Sequence, residues 1–272
     1  MRMVYLQGES FLHKLNPLSK FLVNMALFTF MLFTSDPWTP LVFIVLTVFV
    51  LLILGKISFV RLAKILAPLA LIAVLFLLMY PLAVRQSLVD HTPLLWQWGP
   101  LRVYQGGISY AISTALRILA LLTLSLPFSL TTDSADFIRA LVQQWRLPYR
   151  VGYSVLAAFG FIPLLQSEVS VISAAHRVRG VHAAAGWRGA YERLRRYAVP
   201  LLTGAIRQAE RTALTMDGRA FGALAERTYF RRMRFLPTDW LFIIGSLAAS
   251  ILLVLVLQYF GLLGDLSLLK IL

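Results

Sequence analysis

Apolar runs separated by short polar breaks dominate the first half of the chain, and one long run returns near its end. A membrane-spanning helix needs roughly 17–25 mostly apolar residues. Residues 18–34, 41–54 with a few flanking positions, 65–84, 108–130 and 240–263 are read as five spans. Lys20 stands near the start of the first, where its ammonium is expected to snorkel toward the interface. Ser35-Asp36-Pro37-Trp38-Thr39-Pro40 reads as a tight turn with Trp38 at the interface, and residues 55–64, carrying Lys56, Arg61 and Lys64, as a short basic loop. Pro68 and Pro81 interrupt the third span. Residues 85–107 read as a polar loop rich in interfacial aromatics, namely Trp96, Trp98 and Tyr104.

After Thr131 the pattern changes. Thr132-Asp133-Ser134-Ala135-Asp136 is a helix start, with side chains able to cap and acids favouring the dipole. It leads into Phe137, Leu141 and Val142 on one face, with Arg139 and Gln143 on another. Pro148 restarts the chain. Residues 151–172 are nearly apolar enough to span, but Gly160, Pro163, Gln166 and Glu168 intervene. One long helix, half membrane-associated, is predicted to run through Arg179 and to break by Gly186. A second, starting before or near Pro200, carries Arg207, Glu210, Arg211 and Arg219, and a basic run at 227–234 follows it.

Composition agrees with a membrane protein: 59% of the 272 residues are hydrophobic and the mean hydropathy is +0.75. The net charge is +14, but 16 of the 26 Lys and Arg lie between Asp133 and Pro237, which argues against a nucleic-acid partner. Positive residues collect on the cytoplasmic side of membranes. The N-terminus and this block are therefore placed in the cytoplasm of a cell inner-membrane protein and the C-terminus outside, against the opposing Arg85 and Arg102. The first twenty residues lack an early apolar core, so the first span, not a cleavable signal peptide, is expected to target the chain. The reading is an all-α, polytopic membrane protein of about five transmembrane helices. Long amphipathic cytoplasmic helices lie between the fourth and fifth, dividing the chain into a four-span region (1–130), a cytoplasmic helix region (131–237) and a final span (238–272).

Catalytic and cofactor signatures are missing. There is no cysteine, so disulfides, thiolate metal sites and cysteine nucleophiles are excluded. There is no phosphate-cradling Gly-rich loop ending in Lys-Ser/Thr, no His-Glu-x-x-His and no Gly-x-Ser-x-Gly. His176 and His182, six residues apart, do not share a helix face at ligand spacing. No cofactor and no metal site is expected, and the chain is not an enzyme by itself. Arg117 falls inside the fourth span, either as a functional charge or as a structural arginine paired between helices. No internal repeat is visible, which counts against a secondary transporter.

Two short arginine motifs stand out: Arg177-Val178-Arg179-Gly180 and Asp217-Gly218-Arg219-Ala220-Phe221. Small neighbours leave Arg179 and Arg219 clear for a partner, and arginine suits bidentate pairing with carboxylates. Two such arginines on neighbouring helices could enter two acidic grooves of a dimeric partner. Basic helices on anionic headgroups, worth about 1 kcal/mol per residue near the surface, account for the same residues equally well.

Leu15-Asn16-Pro17-Leu18-Ser19-Lys20 resembles the Leu-Asp-Pro-Arg-x-Lys motif of the transmembrane coupling (T) subunits of energy-coupling-factor ABC transporters. Leu147-Pro148-Tyr149, Phe161-Ile162-Pro163 and Glu168 are similar to the segment before that family's first Ala-Arg-Gly motif. His176–Gly180 and Met216–Phe221 match its two motif sites in order. The departures are Leu18 for Arg, Val178 for Ala, and Gly-Arg-Ala in place of Ala-Arg-Gly at the second site. The resemblance implies a non-catalytic subunit of an importer. Two cytoplasmic ATPases would dock on Arg177, Arg179, Gly180, Gly218, Arg219 and Ala220. A small membrane protein that captures a water-soluble vitamin or a cobalt or nickel ion would be held by the long helices, with Phe159, Pro163, Leu202 and Ile206 as candidate contacts. The partners are thus two ATPases, a capture subunit and the bilayer.

Two other functions fit the residues less well. An ordinary ABC permease docks through a Glu-Ala-Ala motif with Gly six residues after the Glu, whereas Glu210 and Gly218 are eight apart. A lipid-modifying intramembrane enzyme needs paired acids or a metal cluster near a span end, and the one pair, Asp133 and Asp136, reads as a helix cap.

Overall fold

The computed structural model describes residues 6, 8–34, 36–83, 93–98, 101–180, 186–224 and 228–261. Nine helices occupy most of these residues: α1 (Phe11–Lys14), α2 (Pro17–Leu32), α3 (Trp38–Ile53), α4 (Phe59–Ala83), α5 (Gln105–Thr131), α6 (Ser134–Gln144), α7 (Tyr149–Val178), α8 (Gly186–Gly218) and α9 (Pro237–Tyr259). The architecture is all-α apart from one short antiparallel hairpin between α4 and α5, pairing Leu94–Trp98 (β1) with Leu101–Tyr104 (β2). That hairpin and the start of α5 at Gln105 replace the loop expected over 85–107, of which residues 85–92, 99 and 100 lie outside the described ones. The loop expected over 55–64 is shorter too. Lys56 turns with φ 49°, and α4 begins at Phe59, so Arg61 and Lys64 are helical.

The chain forms two compact units, 1–137 with 234–272, and 138–233. In the first, α5 is the central helix, packed against α2, α3 and α4. Leu51, Ile57, Leu62, Leu126 and Leu130 make one buried cluster, and Met31, Phe43, Ala120 and Leu124 a second. Outer faces are strongly apolar: Val45, Phe49, Leu71, Leu78, Leu241 and Leu252 are all exposed. Exposed apolar residues on that scale fit helices solvated by lipid. Among the described residues α4, α5, α7 and α9 are long and apolar enough to cross a bilayer, while α2 and α3 are apolar but shorter.

Lys20 corrects the expectation of a snorkelling ammonium. It is 4% exposed, and its Nζ donates to the carbonyls of Leu12 (3.0 Å) and Thr131 (2.9 Å) and to Thr131 Oγ1 (3.2 Å). The C-terminal end of a helix carries partial negative charge, and α5 ends at Thr131, so the ammonium has a polar seat inside. Asn16 Oδ1 caps α2 through the amide of Leu18 (3.0 Å), and Pro17 fills the position where the missing amide costs nothing. The Asn16 amide donates to buried Asp239 Oδ1 (2.7 Å), whose Oδ2 takes the amide of Leu236 (2.8 Å) at the start of α9. The Asn16-to-Lys20 motif therefore ties together the start of α2, the end of α5 and the start of α9.

In the second unit α6 is amphipathic, with Ala140 and Val142 buried. Gly152 of α7 lets the two helices approach closely: a Cβ there would stand 2.1 Å from Val142 Cγ2. Gln143 bridges to the returning chain, donating to the Arg231 carbonyl (2.9 Å) and accepting from the Met233 amide (2.8 Å). α7 passes through Gly160 and Pro163 unbroken, as expected, and α8 begins at Gly186 and passes through Pro200. The two meet where the Glu168 carboxylate lies over Gly204 and where the His176 ring stacks on Tyr197 at 5.5 Å.

Candidate partner-docking site

Arg179 and Arg219 occupy equivalent positions. Arg179 is the residue that ends α7, followed by Gly180 at φ 70°. Arg219 directly follows the last helical residue of α8, Gly218, and precedes Ala220 at φ 53°. At α8 the Ala220 amide donates to the Asp217 carbonyl (2.9 Å) and the Phe221 amide to that of Met216 (3.0 Å), the bonds of a Schellman ending. At α7 the corresponding first bond runs from Gly180 to Arg177 (3.0 Å). The arginines thus stand at helix ends. The residue after each one bends the chain away through the left-handed region.

Arg177, Arg179 and Arg219 are exposed, and among the described residues the two motif guanidiniums have no hydrogen-bond or ion-pair partner. A helix C-terminus favours a cation, so each guanidinium is tolerated there. Arg219 also edges a cavity of about 450 Å³ lined by Tyr149, Tyr153, Met216, Phe221 and Leu224. Gly218 has open space around it: a Cβ there would meet nothing within 4 Å.

The other nominated residues lie along the same two helices. Phe159 and Pro163 on α7, and Leu202 and Ile206 on α8, are all exposed, with Leu202 at 64%. Each pair is spaced i, i+4 and so shares a helix face. No stretch of the apolar part of α7 is buried. His182 lies outside the described residues, while Nδ1 of His176 and Nε of Arg117 are buried with no hydrogen-bond partner among the described residues. Among the described residues no group of three or more His, Cys, Asp or Glu could hold a metal ion.

Sequence reasoning missed Tyr149, Arg150 and Tyr153 as neighbours of the second motif. Tyr149 Oη donates to the Leu224 carbonyl (2.7 Å), and Arg150 Nη2 donates to the Gly222 carbonyl. The Phe221 ring stands edge-on to Tyr149 at 5.7 Å and to Tyr153 at 6.3 Å. Two aromatics one turn apart at the start of α7, with a third closing the arginine motif, were the available signal.

The fold is that of a polytopic helical membrane protein with exposed arginines at the ends of two long helices. Residues 8–230 match the family model of the cobalt transport protein CbiQ, and the chain belongs to that family. The energy-coupling factor transporter transmembrane protein of Brevibacillus brevis is 28% identical over 265 residues, covering 94% of this chain and 96% of that one. Its counterpart in Bacillus subtilis is 26% identical over 259 residues, covering 92% and 95%. That of Thermosediminibacter oceani is 27% identical over 245 residues, covering 86% and 89%. The chain is a transmembrane (T) component of an energy-coupling-factor transporter, resident in the cell membrane and not an enzyme by itself.

Proposed function

We propose that this subunit couples two cytoplasmic ATPases to a small substrate-capturing membrane protein. Arg179 enters an acidic groove on one ATPase and Arg219 a groove on the other. Arg177, Gly180, Gly218 and Ala220 shape the two helix ends. The apolar faces around Phe159, Pro163, Leu202 and Ile206 grip the capture subunit, which brings in a water-soluble vitamin or a cobalt or nickel ion. Residues 131–237 face the cytoplasm, as does the N-terminus, and the C-terminus lies outside.

One observation carries this reading: both arginines end a long helix in the same way, exposed and, among the described residues, without a hydrogen-bond or ion-pair partner. Headgroup binding needs basic residues anywhere on a surface, and gives no reason for two equivalent helix ends.

The test is co-purification of the whole complex. Arg179→Ala and Arg219→Ala should each weaken ATPase retention by tens of fold or more, since stranding a buried charge typically costs about 2–5 kcal/mol. Arg207→Ala and Arg231→Ala should change little, and Lys at either motif should restore only part of the binding. Leu202→Asp or Ile206→Asp should release the capture subunit and leave the ATPases attached. Equal, mild losses across all four arginine variants would refute docking through the motifs.

A further inference from the structure

The two motif arginines differ in what holds them. Arg179 ends α7 itself. Arg219 is followed by a short segment, residues 220–224, that folds back onto the first turn of the same helix α7. Three contacts fasten it there: Tyr149 Oη to the Leu224 carbonyl, Arg150 to the Gly222 carbonyl, and Phe221 edge-on to both tyrosines. Gly222 lies at φ 92°, which turns its carbonyl toward Arg150 at little cost for a residue without Cβ. Phe221 follows the left-handed residue of the α8 ending, where an apolar contact commonly completes such a cap. Here that contact is made by another helix.

We propose that Tyr149, Arg150 and Tyr153 are positioning residues for Arg219, fastening the second arginine motif to the N-terminal end of α7 while Arg179 stands at its C-terminal end. α7 then sets the separation of the two docking points. Its 30 residues correspond to roughly 45 Å at about 1.5 Å per residue. The inference rests on the docking reading and adds to it: α8 brings Arg219, but α7 holds it.

The test uses the full complex, with the subunit's missing cysteines as an advantage. Spin labels at Ala174→Cys near the first motif and Ala223→Cys in the clamped segment should report one narrow distance distribution. Tyr149→Phe and Phe221→Ala should broaden it. Tyr149→Phe should weaken ATPase retention about fivefold, the equivalent of one net hydrogen bond. Arg150→Ala should act likewise, and Arg150→Lys should recover part of the loss. A double-variant cycle separates positioning from general damage. Tyr149→Phe should add nothing in an Arg219→Ala background and its full effect in an Arg179→Ala background. An unchanged distribution with full retention, beside a defective Arg219→Ala, would overturn the clamp and leave docking intact. Full retention by Arg219→Ala itself would overturn the docking reading instead. Equal effects of Tyr149→Phe in both backgrounds would also reject positioning.

Discussion

At the scale of single residues, the order of Gly218, Arg219 and Ala220 has an energetic consequence. Ala220 adopts φ 53°, a conformation that costs a residue with Cβ roughly 1–2 kcal/mol. Gly218 is the last helical residue of α8, where glycine costs about 0.5–1 kcal/mol relative to alanine. Both small residues therefore stand where the other would be better placed, and a Cβ on Gly218 has room. The double variant Gly218→Ala with Ala220→Gly should stabilise the end of α8 by about 1.5–3 kcal/mol, combining those two costs. Amide exchange at Phe221, which is bonded to the Met216 carbonyl, should slow accordingly. Faster exchange would mean that this φ is relieved by neighbours not apparent from the backbone alone.

At the scale of elements, the joint between α1, α2 and the end of α5 depends on one cation. Replacing Lys20 by Met keeps most of the stem volume but leaves the Leu12 and Thr131 carbonyls without their donor. Hydrogen bonds to a charged group are worth about 1.5–3 kcal/mol, so Lys20→Met should lower the detergent-solution stability of the subunit by about that much. Lys20→Arg offers more donors in a planar fork that fits this narrow seat poorly, and it should not rescue fully. A melting temperature equal to the native one for Lys20→Met would show that the seat contributes nothing to stability. Sequence placed this lysine at the interface because long cations near helix ends usually snorkel. What overrides the habit is a set of three oxygens, from α1, the end of α5 and a threonine hydroxyl, assembled only by tertiary packing.

At the scale of the whole molecule, topology is open to a direct measurement. Ser134→Cys and Ala223→Cys in this thiol-free chain should react with an impermeant maleimide only when the cytoplasmic face is exposed. The expectation comes from the 16 positive residues between Asp133 and Pro237. Labelling of Ala223→Cys from outside intact cells would reverse the proposed orientation. The same charge block coincides with the second compact unit over most of its length, residues 138–233.

The long helices and their rough positions, though not the four-residue α1, were legible in the sequence, because lipid and water select for apolar and charged runs independently of tertiary contacts. The cap at Asp133 was legible for the same local reason: its carboxylate reaches the amide of Ala135, two residues on (3.0 Å). The arginine motifs were visible as a pattern of small residues and Arg179 as the end of a long helix, but the left-handed turns at Gly180 and Ala220 show only in the folded backbone. Other features depended on residues far apart in the chain. Asn16 meets Asp239, Lys20 meets Thr131, and Tyr149 meets Leu224, each across 75 or more positions. Periodicity reports which face of a helix is apolar, but not which distant carbonyl a buried donor will find. That choice belongs to packing, because a polar group removed from water must take whatever partner the fold brings within reach.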